Sequence, residues 1–455
     1  MTRRRRFLTW TATFAALVLM FAVVITTGAG RGSASAGPGV TSATQTPSTT
    51  ADATPTTTPT TEQWRGYWVD SFNEGIFSPD EVSQVVADAR AVGANALVVQ
   101  VARWFDCFCD DAAYPRSDFV EPGYDPLEEV VDQAHAAGLE VHAWVNSTTL
   151  WSSSTAPTSP DHVYNTHGFS ASGADRWLNK RSDGTEQVGT MTYADPANPA
   201  VVDYVTAGVR SIVEHYDVDG VNLDYIRYPD HSTGDYVNDW GYSETSLARF
   251  AAETGRTDVP APSDQQFSDW RRAQVTNLVR SVYDAMNDVD AGDRLSVNAV
   301  TNGDGPQTLG GWEATRPYRG VLQDWKGWLS EGIVDTVMTM NYKEESSADQ
   351  ARRFDEWNAA AVEYRAGRQV VAGPGLYLND VAQSVAQAQR ALASGVDGWN
   401  GYSYANATRA AADSGGDVAL QRSERAALTS ALRSGVFAED AAVPAMPWKA
   451  SADQG

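Results

Sequence analysis

The sequence contains the stretch Asp219-Gly-Val-Asn-Leu-Asp-Tyr-Ile-Arg-Tyr-Pro229, which has the pattern of a buried β-strand. Apolar Val221 and Leu223 alternate with polar residues, and the closing proline cannot donate a hydrogen bond to a strand ladder. Barrels and open α/β sheets hold their chemistry at the carboxyl ends of their strands. Asp224 stands at such an end, and we predict that it is the main catalytic residue.

Around this stretch, apolar strands alternate with amphipathic helices from Trp64 onward. The predicted strands are Gly66–Asp70, Ala94–Ala102, Glu140–Asn146, Gly220–Ile226, Arg294–Thr301, Ile333–Tyr342, Gln369–Leu376 and Gly395–Tyr404. The predicted helices are Pro79–Val92, Pro126–Ala137, Pro199–Tyr216, Asp264–Asn287, Leu322–Ser330, Asp349–Ala366, Val381–Ser394 and Leu420–Ser434. Strict alternation predicts a parallel sheet, and the number of units fits a (β/α)8 TIM barrel with enlarged βα loops. An open doubly wound sheet is the alternative, but no Gly-x-Gly-x-x-Gly turn follows the first strand.

Long insertions follow the second and third predicted strands, at Arg103–Asp125 and Ser147–Asn198. Both are βα loops and therefore belong to the carboxyl face of a barrel. Loops of this length in a compact domain usually carry function. The insertions thus fall where a barrel keeps its active site.

The amino-terminal segment predicts export. Arg3–Arg6 precede the apolar run Ala15–Ile25, and Ala34-Ser35-Ala36 offers a small-residue cleavage site. Arg4–Leu8 also fits the twin-arginine export motif, and an uncleaved apolar segment would act as an anchor. We therefore expect the protein to be secreted or associated with the cell envelope.

The chain is predicted to have four parts. Residues 1–36 are the export signal, and residues 37–62 are a disordered Thr/Ser/Pro linker with too little apolar mass to fold. Residues 63–435 form the barrel, and residues 436–455 form a flexible acidic tail. The formal net charge of −24 argues against a basic surface that binds nucleic acid or an anionic membrane. We expect no membrane partner beyond the amino-terminal anchor, and the sequence sets no oligomeric state.

Four motifs resemble the bacterial glycosyl-hydrolase-like family 10. They are Arg65–Val69, Gly123–Leu127, Ala137–Trp144 and Asp219–Pro229, and the resemblance extends from Trp64 to about Tyr404. It implies a barrel that acts on glycans, and at least one relative is similar to hydrolases of peptide-free peptidoglycan strands. Many members have two adjacent acids at the end of the fourth strand, whereas here Tyr225 follows Asp224, which puts a paired carboxylate there in doubt.

Glycoside cleavage usually needs one ionised carboxylate and one protonated carboxyl group. We predict that Asp224 is the ionised one, because Arg227 follows closely and can pair with it. A buried salt bridge without catalytic role is the alternative for this pair. Glu344 is the first choice for the general acid, with Glu345 second and Glu313 a rival. The spacing of residues along the sequence does not give the distance between the two carboxyl groups. It therefore does not distinguish a retaining from an inverting glycoside hydrolase.

The predicted substrate-binding residues are polar or aromatic and mostly lie near strand ends, where they can orient hydroxyl groups or stack on sugar rings. They are Asp70, which could equally serve as the acid, and Arg103, His142, Trp144, Asn146, Arg227, Tyr228, Asn298, Asn341, Tyr342 and Tyr377. A hydrogen bond within the core is the alternative role for His142 and Asn298.

The sequence predicts neither a metal site nor a cofactor. Cys107 and Cys109 have no second cysteine pair with which to bind a metal, and they either form a local disulfide or remain free thiols. His162 and His167 lack the spacing of a zinc protease motif.

We therefore predict an exported glycoside hydrolase that cleaves a bacterial cell-wall or related glycan. The alternatives are a non-catalytic barrel that binds wall glycan, and a hydrolase of an extracellular plant or storage polysaccharide.

Overall fold

The structure is a computed structural model and describes residues 61–230 and 237–449. Eight parallel strands pair in sequence order, and the eighth pairs with the first to close a barrel. They are β1 Trp64–Val69, β2 Ala96–Ala102, β3 Glu140–Asn146, β4 Gly220–Asp224, β5 Arg294–Val300, β6 Thr336–Asn341, β7 Gln369–Pro374 and β8 Gly398–Tyr402. The predicted (β/α)8 barrel is confirmed.

A main helix separates each strand from the next. These helices are α1 Pro79–Val92, α2 Pro126–Ala136, α3 Pro199–His215, α4 Gln265–Asn287, α5 Trp325–Glu331, α6 Ala348–Tyr364, α7 Val381–Ala393 and, after the last strand, α8 Val418–Arg433. Their ends follow local chemistry that the sequence displays. The Ser78 and Asp125 side chains accept hydrogen bonds from the first turns of α1 and α2, and Gly93 ends α1 with a φ of 75°.

The barrel interior is filled by large apolar side chains. Its core cluster comprises Trp64, Trp68, Ala96, Val98, Trp144, Met338 and Val371. Successive residues of a strand point to opposite faces, so residues two or four positions away from a core residue on the same strand also face the interior. This alternation decides which strand-end side chains reach the carboxyl mouth of the barrel.

The βα loops carry structure that the sequence analysis did not predict. After β3, Thr149–Ser152, Gln187–Val188 and Met191–Tyr193 form a small antiparallel sheet. After β4, Glu244–Thr254 forms an additional helix. Shorter helices are Val163–His167, Pro306–Leu309, Arg316–Arg319 and Arg409–Asp413, with 3-10 turns at Gly173–Asp175, Trp312–Ala314 and Leu376–Leu378.

The carboxyl-terminal segment corrects the prediction of a flexible tail over residues 436–455. Its residues up to 449 pack on the amino-terminal end of the barrel, where Ala441–Ala442 pairs with Thr61–Glu62. Phe437 is fully buried, with its ring 5.5 Å from that of Trp399. Acidic and small residues dominate the sequence of this segment, yet the buried Phe437 ring and the pairing with Thr61–Glu62 fix it against the barrel.

The predicted export signal at residues 1–36 lies outside the described residues, as does the predicted linker apart from Thr61 and Glu62. Within residues 61–230 and 237–449, no helix is both long and apolar enough to cross a membrane.

Candidate active site

Asp224 is the last residue of β4 and is buried at the carboxyl mouth of the barrel. Asn146, the last residue of β3, pairs with it in register. Leu223 pairs with Val297, so Asn298 of β5 lies level with Asp224 on the other side. Asn298 faces the interior, because Ser296 two residues earlier accepts a hydrogen bond from interior Asn222. Asn146, Asp224 and Asn298 thus form a polar row across three neighbouring strands.

The Asp224 carboxylate has two donors supplied by the residues that follow it. Its Oδ1 accepts from the Tyr225 backbone N–H at 2.6 Å and from Arg227 Nη1 at 3.3 Å. Tyr225 has a φ of 50°, which is uncommon for a bulky residue and turns the chain sharply after β4. The Arg227 guanidinium also lies 4.4 Å from the centre of the Tyr225 ring. The predicted Asp224–Arg227 pair is present, and both donors stabilise a negative charge on Asp224.

A group of partly exposed tyrosines surrounds this carboxylate. Tyr402 ends β8, and its ring stacks on that of Tyr342 at 5.1 Å and lies 6.0 Å from that of Tyr377. The Trp144 ring lies 6.4 Å from Tyr402 on the interior side. Trp144, Tyr342 and Tyr377 were predicted as substrate-binding residues, and the structure brings them together at the mouth.

Tyr402 lies close enough to two carboxyl groups to be affected by their charges. Burial raises the pKa of Tyr402 well above its usual value, and the charges of Asp70 and Asp224 add to the rise. Both carboxyls are therefore within electrostatic range of one phenol. Tyr402 was not among the predicted substrate-binding residues, although its alternation with Gly398 and Asn400 along β8 places it on the inner face.

Asp70 directly follows β1 and is buried. Its Oδ1 accepts from the backbone N–H groups of Phe72 and Asn73 and from the Asn73 side chain. Burial raises the pKa of Asp70, and these donors together with the nearby Ser403 hydroxyl only partly oppose that rise. Its Oδ2 has no hydrogen-bond partner among the described residues. A buried carboxyl with a raised pKa and an unengaged oxygen can hold a proton and deliver it.

Arg103 directly follows β2 and completes this side of the mouth. Its Nη1 donates to the Ser71 backbone oxygen at 2.9 Å, and its own backbone oxygen accepts from Asn146 Nδ2 at 3.0 Å. Burial lowers the pKa of Arg103 to about 10, which leaves it a cation, while the charges of Asp106 and Asp70 raise it.

Three predicted substrate-binding residues lie elsewhere. His142 is fully buried in the amino-terminal half of the barrel, between Glu140 and the Trp64 ring. Asn341 faces outward and donates to the Phe354 backbone oxygen and the Asn358 side chain of α6. Tyr228 is fully buried beyond β4, where its ring lies near Arg271. The structure thus does not bring these three side chains together with Asp224 at the mouth, and their role in substrate binding stays a prediction.

The candidate acids after β5 and β6 lie away from Asp224. Glu345 forms an ion pair with Arg390 of α7 at 2.6 Å. The Glu344 side chain is 36% exposed at the rim and lies 3.4 Å from Arg409. Glu313 is exposed and lines a groove of about 380 Å³ beside the start of α4. None of the three forms a hydrogen bond or an ion pair with Asn146, Asp224 or Asn298 among the contacts of the described residues.

The two cysteines of the β2–α2 loop, Cys107 and Cys109, form a disulfide. Among the described ranges of the chain, no group of three or more His, Cys, Asp or Glu side chains is arranged to hold a metal ion.

The model of the family described as glycosyl hydrolase-like 10 matches residues 63–390, more than half of the 455-residue chain. The glycosyl hydrolase YngK of Bacillus subtilis is 25% identical over 276 residues, covering 58% of this chain and 48% of its own. The glycosyl hydrolase DigH of Escherichia coli is 26% identical over 262 residues, covering 56% of this chain and 55% of its own. The aligned region thus spans about half the length of these two relatives.

Among solved structures, the chain resembles the glycoside hydrolase domain of PgaB (BpsB) from Bordetella bronchiseptica. The TM-score is 0.56 at 15% sequence identity, and the match covers 82% of this chain and 99% of that domain. At this identity the likeness supports the fold, and the barrel is common to both.

Proposed function

This chain belongs to the glycosyl hydrolase-like 10 family, and we propose that it is an exported glycoside hydrolase that cleaves a bacterial cell-wall glycan. One observation carries the catalytic part of the proposal. Asp224 and Asp70 are buried carboxyl groups at the barrel mouth, and both act electrostatically on Tyr402. Two carboxyls in different environments at one site are what glycoside hydrolysis requires.

The environments of the two carboxyls suggest how they divide the chemistry. Asp224 receives a hydrogen bond from the Arg227 guanidinium and suits the ionised role, as nucleophile or as stabiliser of positive charge at the anomeric carbon. Burial raises the pKa of Asp70, so Asp70 suits the protonated role toward the leaving oxygen. We therefore prefer Asp70 to Glu344 as the general acid. Glu344 remains the alternative, since a rim carboxylate can move.

The surroundings of the carboxyls suit a sugar. Asn146 and Asn298 flank Asp224 with amide groups that can orient hydroxyls. The Tyr342, Tyr377 and Tyr402 rings are partly exposed and offer apolar faces on which a pyranose can stack. The mouth thus combines a few polar groups with aromatic walls, as carbohydrate sites commonly do.

Export and the cell-wall substrate rest on the sequence and the relatives. Arginines, an apolar run and a Thr/Pro-rich stretch precede the barrel, as expected for an enzyme that works in or beyond a cell wall. The relatives YngK and DigH are both named glycosyl hydrolases. The family resemblance favours peptidoglycan strands without peptides among the possible wall glycans.

The test is to incubate the full chain with peptide-free peptidoglycan strands and, separately, with a panel of neutral plant and storage polysaccharides. New reducing ends and the masses of the products are measured over time. We expect cleavage of the peptidoglycan strands. Cleavage of only the neutral polysaccharides would contradict the cell-wall substrate, and binding without new reducing ends on every glycan would favour a non-catalytic barrel.

A further inference from the structure

Arg103 has hydrogen-bonding capacity that the fold does not use. Its side chain is 3% exposed, and Nη1 donates to the Ser71 backbone oxygen. Its Nε and Nη2 atoms have no hydrogen-bond partner among the described residues, and Asp106 and Asp70 act on the guanidinium through their charges only. Buried polar groups are normally hydrogen-bonded, so two unused N–H groups on a buried guanidinium beside an active site need an explanation.

The unused atoms form one edge of the guanidinium. Nε and Nη2 lie side by side on the planar fork, and their N–H groups point in nearly the same direction. This edge matches the two oxygens of a carboxylate, with which it forms two parallel hydrogen bonds. A neutral hydroxyl could satisfy one of the two N–H groups, whereas a carboxylate satisfies both and also neutralises the charge.

The aromatic surroundings fix the orientation of this edge. The centres of the Phe72, Trp104 and Phe119 rings lie 4.6, 4.2 and 4.3 Å from the guanidinium carbon. These close ring contacts and the hydrogen bond to Ser71 leave the fork little freedom to rotate. Phe119 is 40% exposed, so the aromatic enclosure reaches the protein surface at this ring.

Arg103 also lies next to the proposed catalytic groups. It directly follows β2, and Asp70 directly follows the neighbouring strand β1. Asn146, which donates to the Arg103 backbone oxygen, pairs in register with Asp224. A sugar held at Arg103 would therefore occupy a position adjacent to the bond that Asp70 and Asp224 act on.

We propose that Arg103 binds the carboxylate of an acidic sugar and selects glycans that carry one. The proposal rests on the proposed function, because it assigns a substituent of the substrate at the same site. Two kinds of glycan present such a carboxylate. Peptide-free peptidoglycan strands expose the carboxylate of the lactyl ether, and polyuronates expose the carboxylate of a uronic acid. Amidation or reduction of the carboxyl removes the group in either case.

Binding is the measurement that separates this inference from catalysis. Affinities of the full chain are measured for peptide-free peptidoglycan strands and for polygalacturonate, each with free and with amidated carboxyl groups. We expect amidation to weaken binding roughly 10- to 100-fold for the source that fits, which is the range for one hydrogen bond to a charged group, because the amide oxygen can still accept from one of the two N–H groups. Equal affinity for the free and amidated forms of both glycans overturns the proposal, and this comparison needs no substitution.

Variants then assign the effect to Arg103. Arg103→Gln is expected to bind the free-carboxylate strands as weakly as the unmodified protein binds the amidated ones, with little further loss on the amidated strands. Arg103→Lys retains the positive charge but not the paired N–H groups of Nε and Nη2. This variant should therefore lose most of the preference for strands with free carboxylates over amidated strands. Arg210→Lys, on the surface of α3 and paired with Glu214, is the matched control and should change nothing. An equal loss on both forms of the strands in Arg103→Gln and Arg103→Lys would mean a structural role and overturn the assignment.

The two proposals can fail independently. If the unmodified protein cleaves no glycan but binds carboxylated strands in an Arg103-dependent way, the hydrolase is wrong and the carboxylate site stands. If it cleaves free and amidated strands with equal kcat/KM and binds them equally, the hydrolase stands and the carboxylate site is wrong.

Discussion

Asp224 ends β4 and Asp70 follows β1, both at the carboxyl mouth of the barrel, but their contacts differ. Arg227 follows Asp224 by three residues and hydrogen-bonds to it, and the sequence predicts this pair because the spacing is local. The general acid is not predictable in the same way. Glu344 and Glu345 are plausible in sequence, but Arg409 and Arg390, which engage them, are distant along the chain. The burial that raises the pKa of Asp70 likewise follows from the folded barrel and is not visible in the local sequence.

Replacing Asp70 by Asn tests its role as proton donor. An amide of nearly the same shape cannot donate a proton to a leaving group, so we expect kcat to fall roughly 10²- to 10⁴-fold, the usual contribution of general acid catalysis. The measurement is kcat on a cleaved glycan, with Glu344→Gln as the matched comparison. A large loss in Glu344→Gln with an intact Asp70→Asn would return the acid role to Glu344.

The pH dependence of activity should carry the signature of Asp70. Burial raises the pKa of Asp70, so the folded protein holds this proton to a higher pH than an ordinary aspartate does. Because activity needs the protonated form, kcat/KM should fall as pH rises through that pKa. The pH profile of kcat/KM measures this, and an activity that keeps rising with pH through the same range would contradict the assignment.

The same raised pKa predicts the sign of a stability effect. A proton held more tightly in the folded state than in the unfolded chain stabilises the fold, so the contribution is fully present below the unfolded pKa. It is lost as pH rises through the folded pKa. Relative to Asp70→Asn, the unmodified protein should therefore lose stability as pH increases over this range, as measured by thermal unfolding. A relative gain of stability with increasing pH would be the wrong sign.

At the scale of elements, strand alternation gives the face of a side chain but not its depth along the barrel axis. Asn298 lies on the inner face, level with Asp224. His142 also lies inside, yet it sits in the amino-terminal half, because the pairing of β3 with β4 begins at His142 and Gly220. Depth follows from how neighbouring strands are staggered, and this is a property of the closed barrel rather than of one strand.

The carboxyl-terminal segment is an element whose contribution can be measured. Phe437 is fully buried and contacts the Trp399 ring, so Phe437→Ala should leave a cavity and destabilise the protein by about 3–5 kcal/mol. Denaturant unfolding measures the change. Val259→Ala, at a position that is 70% exposed, is the control and should have little effect. Equal stability of the two variants would mean that the segment does not support the barrel.

At the scale of the whole molecule, the barrel was predictable because each β-strand and the helix after it are recognisable from local sequence. Alternating apolar residues, helix caps such as Ser78 and terminal glycines such as Gly93 mark the units one by one. The small sheet formed by Thr149–Ser152, Gln187–Val188 and Met191–Tyr193 was missed, because its strands are short and pair across the insertion. Pairing of that kind leaves a weak local signal.

Net charge makes a further prediction for the whole molecule. The chain carries a formal charge of −24, so an anionic glycan is repelled at long range even though Arg103 attracts its carboxylate at contact. Salt screens the long-range repulsion between exposed charges more than it screens a buried contact. Raising ionic strength from about 10 to about 150 mM should therefore lower KM for carboxylated strands, and amidated strands should respond less. An increase in KM with salt would indicate that a positive surface steers the substrate instead.

The central claim is that Asp224 is the ionised carboxylate of a glycoside hydrolase. The most direct test measures glycan turnover and glycan binding separately for Asp224→Asn in the full chain, with Asp132→Asn on the exposed side of α2 as the matched control. We expect Asp224→Asn to bind peptide-free peptidoglycan strands with nearly unchanged affinity but to release reducing ends at least about 10³-fold more slowly, while the control retains full activity. Turnover by Asp224→Asn equal to that of the unmodified protein would contradict the claim.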